Sequence, residues 1–348
     1  MKKILVTGGT GYIGSHTVVE LQKSGFEAMI IDNLSNSSVV IVDQIARITG
    51  VKPLFEKIDM ADLSSLRAFF HSHDDIAGVI HFAAFKAVGE SVQNPLKYYQ
   101  NNLTALCNLL QCMEDSGTEN FVFSSSCTVY GQPEKLPVTE MAPVKPALSP
   151  YGNTKQIAEE VISDQTKSSR LNAISLRYFN PIGAHESGLI GELPIGVPDN
   201  LVPYITQTAI GKRKKLTVFG NDYNTPDGTC IRDYIYVSDL AKAHVVALER
   251  LINKPERKQH EIFNIGTGKG YSVLDAIKTF EKVSGVKLNW SFNERRPGDV
   301  EQVWADTTLA NLKLGWKAEN DLDVMMATAW QWEKNLAAGL LNISNDRA

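Results

Sequence analysis

Short apolar runs alternate with stretches of helical period through the first half of the chain. The runs are Ile4–Val6, Met29–Ile31, Gly78–Phe82, Asn120–Phe123 and Ala173–Leu176. Helical patterns separate them, among them Leu63–His71, Leu96–Met113 and Tyr151–Asp164. Apolar runs of this length, alternating with helices, predict a parallel sheet covered on both faces. The fold class expected is α/β, with a doubly wound sheet. After about residue 180 the pattern changes. Residues 181–200 are loop-like, with Pro181, Pro194 and Pro198, and the elements beyond read as shorter and mixed. Two domains are therefore expected, 1–180 and a smaller 181–348, with some later segments returning to the first. Ligands on such sheets bind at the carboxyl ends of the strands. That singles out Gly8–Gly14, Asp32–Ser37, Ala83–Lys86, Ser124–Cys127 and Arg177–Asn180.

Composition narrows the class without changing it. The 348 residues are 43% hydrophobic and 21% charged, ordinary values for a globular chain. A net charge of −4 gives no electrostatic case for nucleic acid or an anionic membrane. The one basic run, Lys212-Arg213-Lys214-Lys215, reads as a solvated helix end. No apolar stretch reaches the roughly 18 residues of a membrane span. Met1-Lys2-Lys3 leads into too few apolar residues for a secretory leader. Cys107, Cys112, Cys127 and Cys230 lack metal-ligand spacing, and Cys107 and Cys112 read as small hydrophobes in a helix. The histidines form no HxxxH or HxH cluster, so no metal is expected. A reducing cytoplasm fits this cysteine usage.

The strongest local signal is Val6-Thr-Gly-Gly-Thr-Gly-Tyr-Ile-Gly14, directly after the first apolar run. A strand entering a glycine-rich turn and then a helix binds a pyrophosphate. Gly8 permits the turn, Gly11 lets the backbone approach the ligand, and Gly14 lets the helix pack close. The helix N-terminus adds free N–H donors and a positive dipole end. The helix closes at Gly25, and the second strand ends at Asp32. A carboxylate there accepts hydrogen bonds from ribose hydroxyls and repels a 2′-phosphate. No Arg or Lys lies in Asn33–Val40 to hold such a phosphate, so a Rossmann-type fold binding NAD rather than NADP is expected.

Tyr151-Gly-Asn-Thr-Lys155 opens a helix behind Ser149, a candidate cap, and Pro150. Tyrosine and lysine at i and i+4 share a helical face. An ammonium beside a phenol is expected to lower a pKa normally about 10, and bound NAD⁺ to add a further positive charge, together giving a base for near-neutral pH. Ser124-Ser125-Ser126 follows a strand and would sit at the same cleft edge, where a serine hydroxyl can bridge substrate oxygen and tyrosine.

TGGTGYIG, SSSCTVYG, SPYGNTK and LRYFNPIGAH together resemble the extended short-chain dehydrogenase/reductase family, and within it the UDP-hexose 4-epimerases. The likeness runs on through NDYNTPDGT, IRDYIYVSDLA and the RRPGD segment at 295–299. It implies an isomerase that interconverts UDP-galactose and UDP-glucose, with NAD retained through turnover. Tyr151 would take the proton of the sugar 4-hydroxyl as hydride leaves C4. The 4-keto sugar would rotate and regain the hydride on its other face. Lys155 would hold the nicotinamide ribose and tune Tyr151, and Ser126 would bond the 4-oxygen.

The resemblance further implies cofactor contacts at Tyr12, Ile13, Asp32, Asn33, Leu34, Ser35, Asn36, Ser37, Asp59 and Met60. Others fall on Phe82, Ala83, Ala84, Phe85, Lys86, Asn101, Ser126, Tyr151, Lys155 and Phe179. Asp59 and Met60 follow the Lys57-Ile58 run, a fitting place for adenine, and Lys86 lies just past a strand end. Substrate contacts are implied at Lys86, Ser126, Tyr151, Asn180, Asn200, Leu201, Thr217, Phe219, Arg232, Arg296, Asp299 and Val303. A UDP pyrophosphate calls for guanidinium donors, which Arg232 and Arg296 supply. Phe219 can stack on uracil or belong to the core. Homodimers paired through Leu96–Met113 and Tyr151–Asp164 are implied as well, though burial against the chain's own core also explains their apolar faces.

The sequence departs from relatives at Cys127, where many have alanine and only packing is expected. It departs again at Val303, where some have a bulky tyrosine; valine there leaves room for an N-acetylated sugar. A nucleotide-sugar 4,6-dehydratase needs an Asp-Glu pair where this chain has Cys127 and Thr128. A uronate epimerase or decarboxylase needs a cation for the sugar carboxylate, and none is assigned. A non-catalytic NAD-binding sensor fits poorly with Tyr151 and Lys155 both present.

Overall fold

The computed structural model describes residues 1–253, 260–296 and 299–341. Its first half alternates strand and helix: β1 Lys3–Thr7, α1 Tyr12–Lys23, β2 Glu27–Asp32, α2 Val40–Thr49, β3 Leu54–Lys57, α3 Leu63–Ser72 and β4 Ile76–His81. There follow α4 Val88–Gln93, α5 Pro95–Ser116, β5 Asn120–Ser124, a helical turn at Cys127–Tyr130, α6 Pro150–Ser168 and β6 Asn172–Tyr178. The second half comprises β7 Asn180–Ile182, α7 Leu201–Ala209, β8 Leu216–Phe219, β9 Ile231–Arg232, β10 Tyr234–Tyr236 and α8 Val237–Asn253. It ends with β11 His260–Ile265, β12 Tyr271–Ser272, α9 Val273–Ser284, β13 Trp290–Asn293, β14 Gln302–Val303 and α10 Leu322–Ala337.

Seven strands form one parallel sheet in the order β3-β2-β1-β4-β5-β6-β11. Side chains alternate across it as the strand period requires. Ile4, Val6, Ile30, Ile80, Val122 and Ile174 pack on one face with Val18 of α1 and Leu240 and Leu248 of α8. Leu5, Met29, Ile31, Val79, Phe121 and Ala173 pack on the other with α3, α5 and α6. Both faces are thus covered, which is why the strands read as continuous apolar runs rather than alternating ones. The strand order reverses between β1 and β4, and the crevice outside their carboxyl ends is the general ligand site of such sheets.

The later half carries its own core, with Ile182, Ile205, Val218, Ile277, Phe280, Met325 and Met326 drawn from β7, α7, β8, α9 and α10. Its strands are short, as expected, but α8 and α10 are not; helix lengths there follow the need to cover two cores. The edge strand β11 and helix α8 belong to the large sheet although they lie past residue 180. The basic run is solvated at Lys212, Lys214 and Lys215, as expected, but one of its lysines also makes an ion pair with a buried partner. Lys212 Nζ lies 2.7 Å from Glu333, a buried carboxylate on α10 that also accepts from Thr206. Cys112 is buried as expected, but Cys107 is exposed, because a five-residue offset turns it off the apolar face. Among the described residues no helix is long and apolar enough to cross a membrane.

Candidate active site

Backbone hydrogen bonds hold the glycine turn at both Gly8 and Gly11. Gly8 N–H donates to Ile31 O at 2.8 Å and Gly11 N–H to Gly8 O at 3.0 Å. Gly8 sits at φ +70°, and a Cβ there would stand 2.8 Å from Ala83 N. A Cβ on Gly14 would come within 2.3 Å of Gly8 O, so the helix approaches the turn closer than any side chain allows. A Cβ on Gly11 would crowd only Gly8 O, at 3.1 Å, and no side chain caps α1 there. The turn therefore presents bare backbone and the uncapped N–H groups of a helix start. That is a cradle for a pyrophosphate.

Asp32 ends β2 beside this turn. Its carboxylate accepts from Leu34 N at 2.8 Å, Ser37 Oγ at 3.1 Å and Thr10 N at 3.3 Å. It thereby shapes the loop through Asn33, Ser35 and Asn36, in which Leu34 adopts φ +61°. Asn33 Nδ2 reaches Asp59 at 3.3 Å, and the backbone of Met60 is held by Asn108. Tyr12 and Ile13 open α1, and the Tyr12 hydroxyl donates to Gly183 O across to the second half. Phe82, Ala83, Ala84 and Phe85 follow β4, with Phe82 N–H on Thr7 O. Asn101 donates to its neighbour Asn102, whose side chain bonds both backbone groups of Phe85 and Thr154 Oγ1 of α6. Asn102 was not singled out from the sequence; a polar pair inside an apolar helical stretch was the available signal.

Ser149 caps α6, its Oγ accepting from Gly152 N at 3.1 Å, with Pro150 in the first turn. This starts the helix so that Tyr151 and Lys155 face inward, both buried. Lys155 Nζ lies 5.9 Å from the Tyr151 ring centroid and 4.6 Å from that of Phe123, and donates to Ser124 O at 2.7 Å. Ser126, at the end of the serine run, accepts from Thr128 N, and its hydroxyl favours ionisation of the Tyr151 phenol. Ser126, Tyr151 and Lys155 thus meet at the carboxyl edge of the sheet.

The electrostatics show what the chain's own groups do to this pair. Burial pushes the Tyr151 phenol well above its ordinary range, Tyr178 adds to the rise, and the Ser126 hydrogen bond pulls the other way. Burial also lowers Lys155 to about 8, with the Glu159 carboxylate opposing. Desolvation exceeds the pull of protein charges, so the expected low phenol pKa is not produced by Lys155 alone. Tyr178 was another omission; its hydroxyl accepts from Ser124 Oγ at 3.3 Å. It lies in the strand-end segment 177–180 and was legible there.

Most of the substrate-side candidates lie beyond β6, in the later half of the chain. Phe179 is buried, and Asn180 N–H donates to Asp233 O. Asn200 precedes Leu201, the first residue of α7, and donates to Glu192 at 2.6 Å. The same carboxylate pairs with Lys86 at 3.2 Å, making Glu192 a third omission, from a loop with no motif to mark it. Thr217 and Phe219 lie on β8. Phe219 is 38% exposed, with Arg296 5.7 Å from its ring, so the core alternative is set aside. Asp299 pairs with Arg296 at 2.8 Å and lies 3.9 Å from Arg232. Pro297 and Gly298 of the RRPGD segment lie outside the described residues, as do 342–348. Val303 packs with Val129, Phe179, Ala305 and Cys127. Burial raises the Cys127 thiol to about 12, which keeps it neutral and unreactive near pH 7. Among the described residues no His, Cys, Asp and Glu cluster could hold a metal ion.

A family model described as GDP-mannose 4,6 dehydratase matches residues 5–329. A UDP-glucose 4-epimerase of Bacillus subtilis (strain 168) is 50% identical over 337 residues, covering 97% of this chain and 98% of its own. The solved UDP-glucose-4-epimerase from Stenotrophomonas maltophila, with bound NAD and formylated UDP-arabinopyranose, superposes with a TM-score of 0.94 at 45% identity. That match covers 97% of this chain and 100% of the other. The UDP-glucose 4-epimerase from Bifidobacterium longum, in complex with NAD+ and UDP, gives 0.92 at 43% identity over 97% of this chain and 99% of its own.

Proposed function

We propose that this chain, which belongs to the UDP-glucose 4-epimerases of the extended short-chain dehydrogenase/reductase family, interconverts UDP-galactose and UDP-glucose with NAD as its cofactor. The observation that carries the reading is the meeting of Ser126, Tyr151 and Lys155 beside the bare glycine turn at the sheet's carboxyl edge. When bound, NAD supplies reversible hydride acceptance at the sugar C4. Gly8, Gly11 and Gly14 would cradle its pyrophosphate, and Asp32 its adenosine ribose. Tyr151 would take the proton from the 4-hydroxyl and return it to the same oxygen. Ser126 orients the 4-oxygen between itself and the phenol. Lys155 supplies the cation that favours the phenolate and would hold the nicotinamide ribose. Arg232 and Arg296 neutralise the UDP diphosphate, displacing Asp299 from part of its pairing. We assign 1–180 to the cofactor and 181–348 to the sugar nucleotide, with α8 and β11 serving the first.

The reading is tested by incubating the protein with UDP-galactose and following UDP-glucose. Absence of interconversion with NAD demonstrably bound would favour a sensor. Tyr151→Phe should lose most activity, and near-normal turnover would refute the role of the phenol as base.

The small Val303, set against Phe179 and Cys127, favours acceptance of UDP-N-acetylglucosamine as well. A negligible rate with that sugar would end this reading, and Val303→Tyr should abolish the rate selectively. A homodimer through α5 and α6 is proposed on the exposed Leu96 and the partly buried Leu103, Ile157 and Val161; a monomeric sedimentation profile would overturn it. Cytoplasmic residence is proposed on the four free thiols.

A further inference from the structure

Helix α6 carries a third charged group in line with Tyr151 and Lys155. Glu159 lies one turn beyond Lys155 and two beyond Tyr151, and is 7% exposed. Arg177 of β6 grips it in a fork, with Nε 3.0 Å from Oε1 and Nη2 2.6 Å from Oε2. Ser125 Oγ donates to Oε1 at 2.5 Å. Arg177 also lies 4.8 Å from the Tyr130 ring centroid, and the Tyr130 hydroxyl donates to Asn264 of β11 at 2.7 Å.

The serine run is thus tied residue by residue to one helical face. Lys155 holds the Ser124 carbonyl, Glu159 holds the Ser125 hydroxyl, and Ser126, next along the run, favours ionisation of the Tyr151 phenol. Resting on the epimerase reading, we propose that Glu159 is a positioning residue: clamped by Arg177, its carboxylate fixes Ser125 and so sets the register of Ser126 against Tyr151 and Lys155. Stability alone is a poor account of this pair. A buried ion pair often contributes no more than apolar residues of the same volume, whereas a two-pronged fork fixes direction.

The groups facing Glu159 include Lys155 on its own helix, Ser125 just after β5 and Arg177 on β6. His260 on β11, Tyr130 in the turn after β5 and Glu140, which faces Arg177, complete the surroundings. His260 is held to about 4 by burial, so its titration lies below the working range. Neutralising Glu159 removes the carboxylate that keeps Lys155 protonated, and a less cationic Lys155 leaves the phenol harder to ionise. The direct effect of Glu159 on the phenol is weaker, since it acts from two turns away.

The test compares wild type, Ser125→Ala and Glu159→Gln, each loaded with NAD. Steady-state rates with UDP-galactose, thermal midpoints and an ultraviolet titration of the Tyr151 phenol referenced to Y151F are measured. Loss of register predicts kcat lower by roughly ten- to a hundredfold in both variants, with KM within about twofold. In E159Q the phenol titration and the acid limb of kcat should move to higher pH. Wild-type kcat and an unmoved phenol titration, with only the thermal midpoint lowered, overturn the proposal. Should E159Q fail to fold, S125A decides, because it leaves the Arg177 fork intact; unchanged kcat there also overturns it. An inactive wild type fails the epimerase reading instead, and the phenol titration still reports on Glu159.

Discussion

Glycine to alanine at position 14 sets two effects of opposite sign against each other. Gly14 lies in the first turn of α1, where alanine is favoured by up to about 1 kcal/mol on helix propensity alone. The added Cβ would stand 2.3 Å from Gly8 O, 2.9 Å from Gly9 Cα and 3.0 Å from Gly8 C, against an ordinary contact of 3.4 Å or more. All three atoms are backbone, so no side chain can swing aside. The turn must retreat by about 1 Å, and overpacking of this kind costs about 1–3 kcal/mol. The balance is a net loss of up to about 2 kcal/mol, and that turn is the proposed pyrophosphate cradle. Gly89 provides the control. It is exposed in α4, and a Cβ there meets nothing within 4 Å. G89A should therefore gain up to about 1 kcal/mol with unchanged cofactor affinity. Urea unfolding at fixed NAD concentration, with NAD titrated separately by calorimetry, reads both quantities and separates ligand linkage from intrinsic stability. G14A should unfold at lower urea and bind NAD more than about tenfold more weakly, by the loss of close backbone approach. A G14A protein as stable as G89A with wild-type NAD affinity would refute the close-packing argument.

Two further outcomes are expected. His16, His81 and His244 are buried and held to about 3, 3 and 4, with burial the main cause in each. Their folded values lie below the unfolded ~6.5, so the unfolded chain takes up protons first. Stability should fall as pH drops from about 6.5 toward the folded values, by up to about 1.4 kcal/mol per pH unit for each histidine. A urea midpoint that stays flat between pH 7.5 and 5 would contradict this. Lys212→Met strands the Glu333 carboxylate, 5% exposed, with Thr206 as its remaining partner. It should cost about 1–3 kcal/mol, less than a fully enclosed pair because Lys212 reaches solvent. Lys282→Met breaks an exposed pair with Asp323 and should leave the urea midpoint almost unchanged. Equal urea midpoints for the two variants would show that burial of Glu333 does not matter.

The sheet was legible because its signals are local. Five apolar runs anticipated strands of the parallel sheet, and the glycine spacing anticipated a turn whose contacts leave no room for a Cβ at Gly14. The Ser149 cap was likewise visible, since capping needs only neighbours. Pairings across long separations were not. The pairing of the solvated Lys212 was missed because nothing near it in sequence announces Glu333, 121 residues away. Glu192 sits in a loop without motif, yet it joins Lys86 to Asn200 across the cleft. Strand β11 arrives in the sheet from beyond residue 180 because its partner β6 has an open edge, not because the intervening chain signals a return.

Tyr151 shows the same limit in energy rather than in contact. Spacing places tyrosine and lysine one turn apart, but it does not encode how much water the fold removes. Burial raises the phenol and lowers Lys155 together, because each loses hydration as it becomes charged. The same low-dielectric setting strengthens attraction between opposite charges, so a cation beside Tyr151 acts more strongly there than at a surface. Ionisation of the phenol therefore depends on how much positive charge the cleft gathers around it. Lys155 contributes one unit, provided Glu159 keeps it protonated; the oxidised nicotinamide ring contributes another when it binds. A base built this way is active only with its cofactor in the oxidised form, which ties proton removal to the availability of a hydride acceptor.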